Sequence, residues 1–262
     1  MTLHVSIATE SATRIVVVGG LDPGTGAGVA RDLLTAASLG AHGVVVGTAW
    51  TLQGSPSARA IEPRKPEHVR SALLAALEKI GTAGSGVKIG MVATAPIAQS
   101  ILSALSGYPG PVVYDPVLRA SSEDPLYNGD LGSILALAQR ATLLTPNLGE
   151  AAWLLDRPVR SPSDAREAAR ALRAMGVRAV LVKGGHLEGD ATDVLLSSAG
   201  ESLFSSPRIA GPSPRGTGCA LATAIAVDLA RGETLERAVP SAKTWLTQRI
   251  ASAVAVGDEW HL

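Results

Sequence analysis

A chain of 262 residues with a formal net charge of zero and only 18% charged residues has no one-signed field, which argues against nucleic acid or acidic membrane as a partner. Aromatics at 3% leave little to stack unpaired bases, and a lone cysteine excludes an internal disulfide framework and a cysteine-based zinc site. The hydrophobic fraction of 46% is enough for one large α/β domain, no apolar run approaches the ~18 residues of a membrane span, and a cytoplasmic protein is expected.

Residues 1–13 lack a basic patch and a long apolar core, so they read as a short, poorly ordered extension ahead of a single domain over 14–262. Short valine-rich runs then alternate with helical patterns, which predicts a mostly parallel sheet covered on both faces. The strands are expected at 15–18, 44–46, 87–89, 112–114, 142–144 and 180–182, and the helices near 28–39, 68–80, 95–106, 130–139, 149–155 and 162–175. The last of these has Ser161 as cap, Pro162 at its first position, Asp164 in its first turn and Gly176 beyond its end. Residues 192–209 read as two short strands around Ala199-Gly200. The final helix is expected at 235–254, with Pro240 kinking it or delaying its start.

The segment Gly211-Pro-Ser-Pro-Arg-Gly-Thr-Gly-Cys219, followed by the apolar helical run Ala220 to Ala230, carries the most chemistry. A glycine-rich turn opening a helix aims free N–H groups and the positive end of the dipole at one point, which suits phosphate. Cys219 falls in that helix's first turn, where its pKa is expected to drop toward neutrality and make it a proton acceptor for phosphoryl transfer to a hydroxyl. The alternative is an inert, buried cysteine at an ordinary helix start.

The first loop, Gly19-Gly-Leu-Asp-Pro-Gly-Thr-Gly-Ala-Gly28, lacks the Gly-Lys-Ser/Thr ending of a P-loop and the glycine spacing of a dinucleotide fold, which leaves a loop with very close backbone approach to something, against an ordinary tight βα turn. Asp32 and Gln53 both fall near strand ends and together suit an amino-substituted heteroaromatic ring, although each alone reads as a solvated surface group. Asp115-Pro116 and Thr145-Pro-Asn-Leu-Gly-Glu150 each put a polar group on a strand end and then break the chain. Asp115 suits magnesium through water, with Asn147 and Glu150 serving the metal and nucleotide phosphates, against plain turn chemistry. Lys183 ends a buried strand, where a cation neutralises transferring phosphate, against a snorkelling surface lysine. His186 reads as a loop residue rather than a catalyst.

In this order, Gly20-Leu-Asp-Pro-Gly-Thr-Gly-Ala-Gly-Val-Ala-Arg-Asp32, Val87-Lys-Ile-Gly-Met91, Asp115-Pro-Val117, Thr145 to Glu150, Val182-Lys-Gly-Gly-His-Leu-Glu-Gly189 and Gly216-Thr-Gly-Cys219 resemble the hydroxymethylpyrimidine and phosphomethylpyrimidine kinases of thiamine biosynthesis. These belong to the ribokinase-like superfamily, and the resemblance spans 15–251. It implies a three-layer α/β sandwich, a homodimer, and an ATP- and Mg2+-dependent kinase acting on an aminopyrimidine methanol and then on its monophosphate. It implies that Gly20, Asp32, Thr51, Gln53, Met91 and Val117 line the pyrimidine pocket. Asn147, Glu150, Lys183 and Thr217 would sit by nucleotide and magnesium. Gly216, Gly218 and Cys219 would form the anion hole, with Cys219 as base. The sequence departs from the family in having Arg215 for the usual histidine, Leu34 for lysine and Trp50 for a smaller residue. Arg215 adds a charged fork that suits nucleotide phosphate or else signals a different acceptor. A pyridoxine-type vitamin kinase and a non-catalytic pyrimidine sensor on the same fold are the alternatives.

Overall fold

A computed structural model describes residues 13–53, 59–120, 124–185, 190–209, 211, 214–257 and 259–262. Its centre is β1 (Arg14–Leu21), whose valines alternate between two hydrophobic clusters: Val16 and Val18 face one, Ile15 and Val17 the other. A strand buried on both faces needs a continuous apolar run, which is why the sequence signal there is a block of valines rather than an alternation. The first cluster packs under α2 (Pro66–Ile80), α3 (Ala95–Ala104), α4 (Leu131–Arg140), α5 (Leu148–Leu155) and α6 (Pro162–Ala174). The second packs under α1 (Gly28–Ser38), α7 (Thr217–Ala230) and α8 (Leu235–Ala251). The expected three-layer α/β sandwich is what forms.

β2 (His42–Gln53) and β4 (Ser85–Ile89) pair parallel with β1 on opposite sides, and β5 (Val112–Tyr114), β6 (Leu143–Leu144) and β7 (Val180–Val182) continue the parallel sheet. The chain order therefore reverses between β1 and β4, and ligands bind beyond the carboxyl ends of the strands at such a switch point. β3 (Arg59–Pro63) pairs antiparallel with β2, and β8 (Ala191–Ser197) with β9 (Gly200–Ser206) forms the predicted hairpin on the far edge.

Several expectations are corrected. β2 runs to Gln53 instead of ending at 46, and β3 was not foreseen. Thr48 is an extra residue in β2 opposite the Gly19–Gly20 step, a bulge whose buried hydroxyl donates to the Met91 carbonyl at 2.7 Å. α8 starts at Leu235 with Pro240 inside it, so the late start is overturned. It ends at Ala251, and Val254–Val256 turns instead into β10, paired with β11 (Glu259–His261). The capping of α6 is as predicted: Ser161 and Asp164 form a reciprocal box, and Gly176 takes a positive φ of 93°. The N-terminal extension lies outside the described residues except Thr13, whose carbonyl accepts from His42 N–H at 2.8 Å. No helix among the described residues is long and apolar enough to cross a membrane.

Candidate active site

Two glycine-rich loops interlock over the switch point. Gly28 opens α1 at φ 62°, and a Cβ there would collide with the Gly20 carbonyl. Gly216 sits before α7 at φ 74°, and a Cβ there would collide with the Gly26 carbonyl. A substitution at either position meets both a strained backbone and a clash, so the loops approach this closely only with glycine. Asp22 stiffens the first loop, accepting from Gly24 N–H at 3.0 Å and Ala27 N–H at 3.2 Å. Beneath the two loops is a cavity of about 410 Å³.

One part of its wall holds Gly20, Asp32, Thr51, Met91 and Val117. Gln53 is the last residue of β2, but its side chain lies outside the described residues, as does His186. On the opposite side the wall holds Asp115, Asn147, Glu150, Lys183 and Thr217, and Arg215, Gly216, Gly218 and Cys219 complete it. The fold thus gathers into one cavity every sequence candidate whose side chain is described.

Asp32 is not the solvated surface carboxylate that its position alone suggests. It is fully buried, with Oδ2 accepting from Lys88 Nζ at 2.7 Å and Oδ1 from Thr223 Oγ1 at 2.8 Å. Burial pushes its carboxyl up from the ordinary value while Lys88 and Thr223 pull it back. Burial alone would depress Lys88; Asp32, with Cys219 and Asp115 near it, holds its ammonium above the usual lysine value. Lys88, a single charge in the otherwise apolar Val87–Ile89 stretch, is a cavity residue to which the sequence reading assigned no role. Its placement over bare backbone at Gly90, 2.8 Å from where a Cβ would stand, is the signal that the Lys-x-Gly spacing offered.

Lys183 is likewise paired rather than snorkelling: Nζ lies 2.5 Å from Asp115 Oδ1, which also accepts from Thr145 Oγ1 at 3.2 Å. Burial works against the Asp115 charge, but Lys183 and Lys88 overcome it and hold the carboxyl below its usual value. The Lys183 ammonium lies 3.1 Å from the point where a Gly218 Cβ would stand, so it backs directly onto the Gly216–Gly218 loop. Asn147 and Glu150 form a capping box, Asn147 Oδ1 accepting from Glu150 N–H at 2.8 Å and Glu150 Oε2 from Asn147 N–H at 2.7 Å. They satisfy the turn chemistry and line the cavity at once.

Desolvation pushes Glu150 up to about 7, with Asp115 adding to it and Lys183 opposing it. A carboxyl with a folded value of about 7 against an ordinary 4.5 binds more proton when folded, so its contribution to stability is full below 4.5 and is lost as pH rises through 7. Denaturant unfolding between pH 5 and 8 should show stability falling with pH in the wild type and a less negative slope in Glu150→Gln.

Cys219 requires a correction. The helix N-terminus was expected to bring its pKa toward neutrality, but burial pushes the thiol up to about 11. Lys88 lowers it and Asp32 and Asp115 raise it, so the sulfur rests as a thiol. The dipole argument left out desolvation and the two carboxylates that share the cavity.

A glycine-rich loop at a helix start, a buried cation against it and a lone thiol at the carboxyl rim of a parallel sheet are parts that a small-molecule phosphotransferase can use. The family model for phosphomethylpyrimidine kinase matches residues 22–261. The hydroxymethylpyrimidine/phosphomethylpyrimidine kinase of Streptomyces coelicolor is 38% identical over 93% of this chain and 90% of its own length. Among solved structures, the phosphomethylpyrimidine kinase of Clostridium difficile has a TM-score of 0.76 at 29% identity, covering 90% of this chain and 99% of that one. The pyridoxal kinase of Bacillus subtilis in complex with ADP has a TM-score of 0.84 at 25% identity, covering 95% of this chain and 97% of that one. The chain belongs to the phosphomethylpyrimidine kinase family.

Proposed function

We propose that this enzyme transfers the γ-phosphoryl group of ATP to 4-amino-5-hydroxymethyl-2-methylpyrimidine and then to its monophosphate. The observation that carries this reading is the convergence of the Gly216–Gly218 loop, Lys183 and Cys219 on a cavity whose other wall holds Gly20, Thr51 and Met91. In the first transfer the hydroxyl oxygen attacks the γ-phosphorus, the bond to ADP breaks, and the hydroxyl proton passes to the Cys219 sulfur in its minor thiolate form, giving the resting thiol. Lys183 and the loop N–H groups neutralise the charge on the migrating group. Asp115 and Glu150 are two carboxylates on one wall, and magnesium takes one or two carboxylates alongside substrate phosphates and water, so the donor set suits it. That ion would supply charge neutralisation on the nucleotide phosphates. On the same reading the enzyme is a cytoplasmic homodimer.

The higher TM-score to a pyridoxal kinase supports pyridoxal as the second acceptor to be weighed. Purified protein with Mg-ATP, supplied in parallel with the pyrimidine alcohol, its monophosphate and pyridoxal, decides between them. The expected result is successive mono- and diphosphate formation from the pyrimidine with kcat/KM well above that for pyridoxal. Preference for pyridoxal overturns the acceptor, and tight pyrimidine binding with no ADP released overturns the enzyme.

A further inference from the structure

Arg215 reaches from the start of α7 to the first loop. Nη2 lies 3.3 Å from Asp22 Oδ2, and its stem covers Gly26, with Cβ and Nη1 at 3.4 and 3.5 Å from where a Gly26 Cβ would stand. Both residues belong to the first loop, whose Gly20 the proposed function places beside the acceptor. Its own N–H donates to the Trp260 carbonyl at 3.2 Å, which fixes the backbone of a residue that lines the cavity.

Among the described residues, the cations that line this cavity are Lys88, Arg119, Lys183 and Arg215. Lys88 and Lys183 are held by short buried bonds, at 2.7 Å to Asp32 and 2.5 Å to Asp115. Arg119 is exposed. Arg215 combines a side chain 24% exposed with a longer ion pair and a fork matched to phosphate. The two successive acceptors differ in charge. The alcohol is neutral, whereas its monophosphate is mostly dianionic above its second pKa of about 6. In the second transfer a phosphate oxygen attacks the γ-phosphorus and the bond to ADP breaks; charge is conserved and no proton is removed. What that step needs is a cation on the acceptor side.

We propose that Arg215 is the specificity-determining residue for the phosphorylated acceptor, exchanging Asp22 for the acceptor's phosphate when the monophosphate enters. The inference rests on the proposed function. Arg215 then sets the ratio of the second activity to the first.

The test is kcat/KM for both acceptors in the wild type, Arg215→Gln, Arg215→Lys, Asp22→Asn and Arg119→Gln, with calorimetric titration of the monophosphate in the absence of ATP. Removing a charge-assisted contact to phosphate should lower the monophosphate-to-alcohol ratio in Arg215→Gln by about 10- to 100-fold and weaken monophosphate binding to match. Arg215→Lys keeps the charge without the fork and should fall between; it also serves if the glutamine variant does not fold. Asp22→Asn breaks the ion pair but keeps the guanidinium, so the ratio should hold or rise. Equal losses on both acceptors in the Arg215 variants would overturn the inference. So would a fall in Asp22→Asn as large as in Arg215→Gln, or a ratio that depends on Arg119 instead. Failure of the wild type to phosphorylate either acceptor would instead sink the functional reading itself.

Discussion

Replacing Cys219 with alanine is expected to cut kcat for the alcohol by about 10²- to 10⁴-fold, the usual worth of a positioned general base. The same variant should lose less than about tenfold on the monophosphate, whose attacking oxygen carries no proton to remove. The side chain is small and already packed, so the smaller alanine is accommodated without rebuilding the loop. The elevated thiol adds a second signature. With its pKa pushed up to about 11, only a small fraction is thiolate at neutral pH, and that fraction grows tenfold per pH unit. The alcohol step should therefore accelerate with pH across the neutral and mildly alkaline range, and the monophosphate step should not share that slope. Rate profiles for both acceptors, in wild type and Cys219→Ala, check this. Equal losses on both acceptors, or a flat alcohol profile in the wild type, would remove the sulfur from the proton-transfer role. A high-pKa thiol is a strong base that is scarce, and the product of the two sets its usefulness.

What the sequence disclosed, and what it hid, follow from the range of the forces involved. Gly216 to Cys219 was legible because a glycine turn, a helix start and a thiol are local features, and local features fix where N–H groups point. Asp115 and Lys183 were legible for the same reason: a polar residue closing a buried apolar strand has few places to go. The bond that joins them was not, since its partners stand 68 residues apart. Lys88 was passed over because a lysine's environment depends on what covers its strand, here Asp32 of α1, 56 residues away in sequence. The thiol's pKa was misjudged on the same ground. The helix dipole is read from neighbours in sequence, whereas burial and the Asp32 and Asp115 charges come from distant segments. The C-terminal hairpin was hidden because Val254-Ala-Val256 continues the apolar pattern of α8, and only its pairing with Glu259–His261 makes it a strand. β3 is a short edge strand whose polar residues give no alternation to detect.

The Lys88–Asp32 pair is expected to carry a large stability effect. Both side chains are at most 1% exposed, and α1 is tied through them to β4. Lys88→Met would leave a buried carboxylate with only the Thr223 hydroxyl, which should cost about 3–5 kcal/mol, measured as a lower denaturant midpoint. Asp32→Leu strands the ammonium instead and should cost about the same. The double variant Lys88→Met/Asp32→Leu removes both charges together and should recover most of the loss, because two apolar groups no longer need to be solvated by each other. Its activity should stay low, since Lys88 and Asp32 both line the acceptor cavity and the double variant turns that stretch of wall into hydrocarbon. Recovery of stability without recovery of turnover would separate the two jobs of the pair. Recovery of both would mean that the pair only holds α1 against the sheet, and that the charge facing the acceptor comes from Arg215 and Lys183 alone.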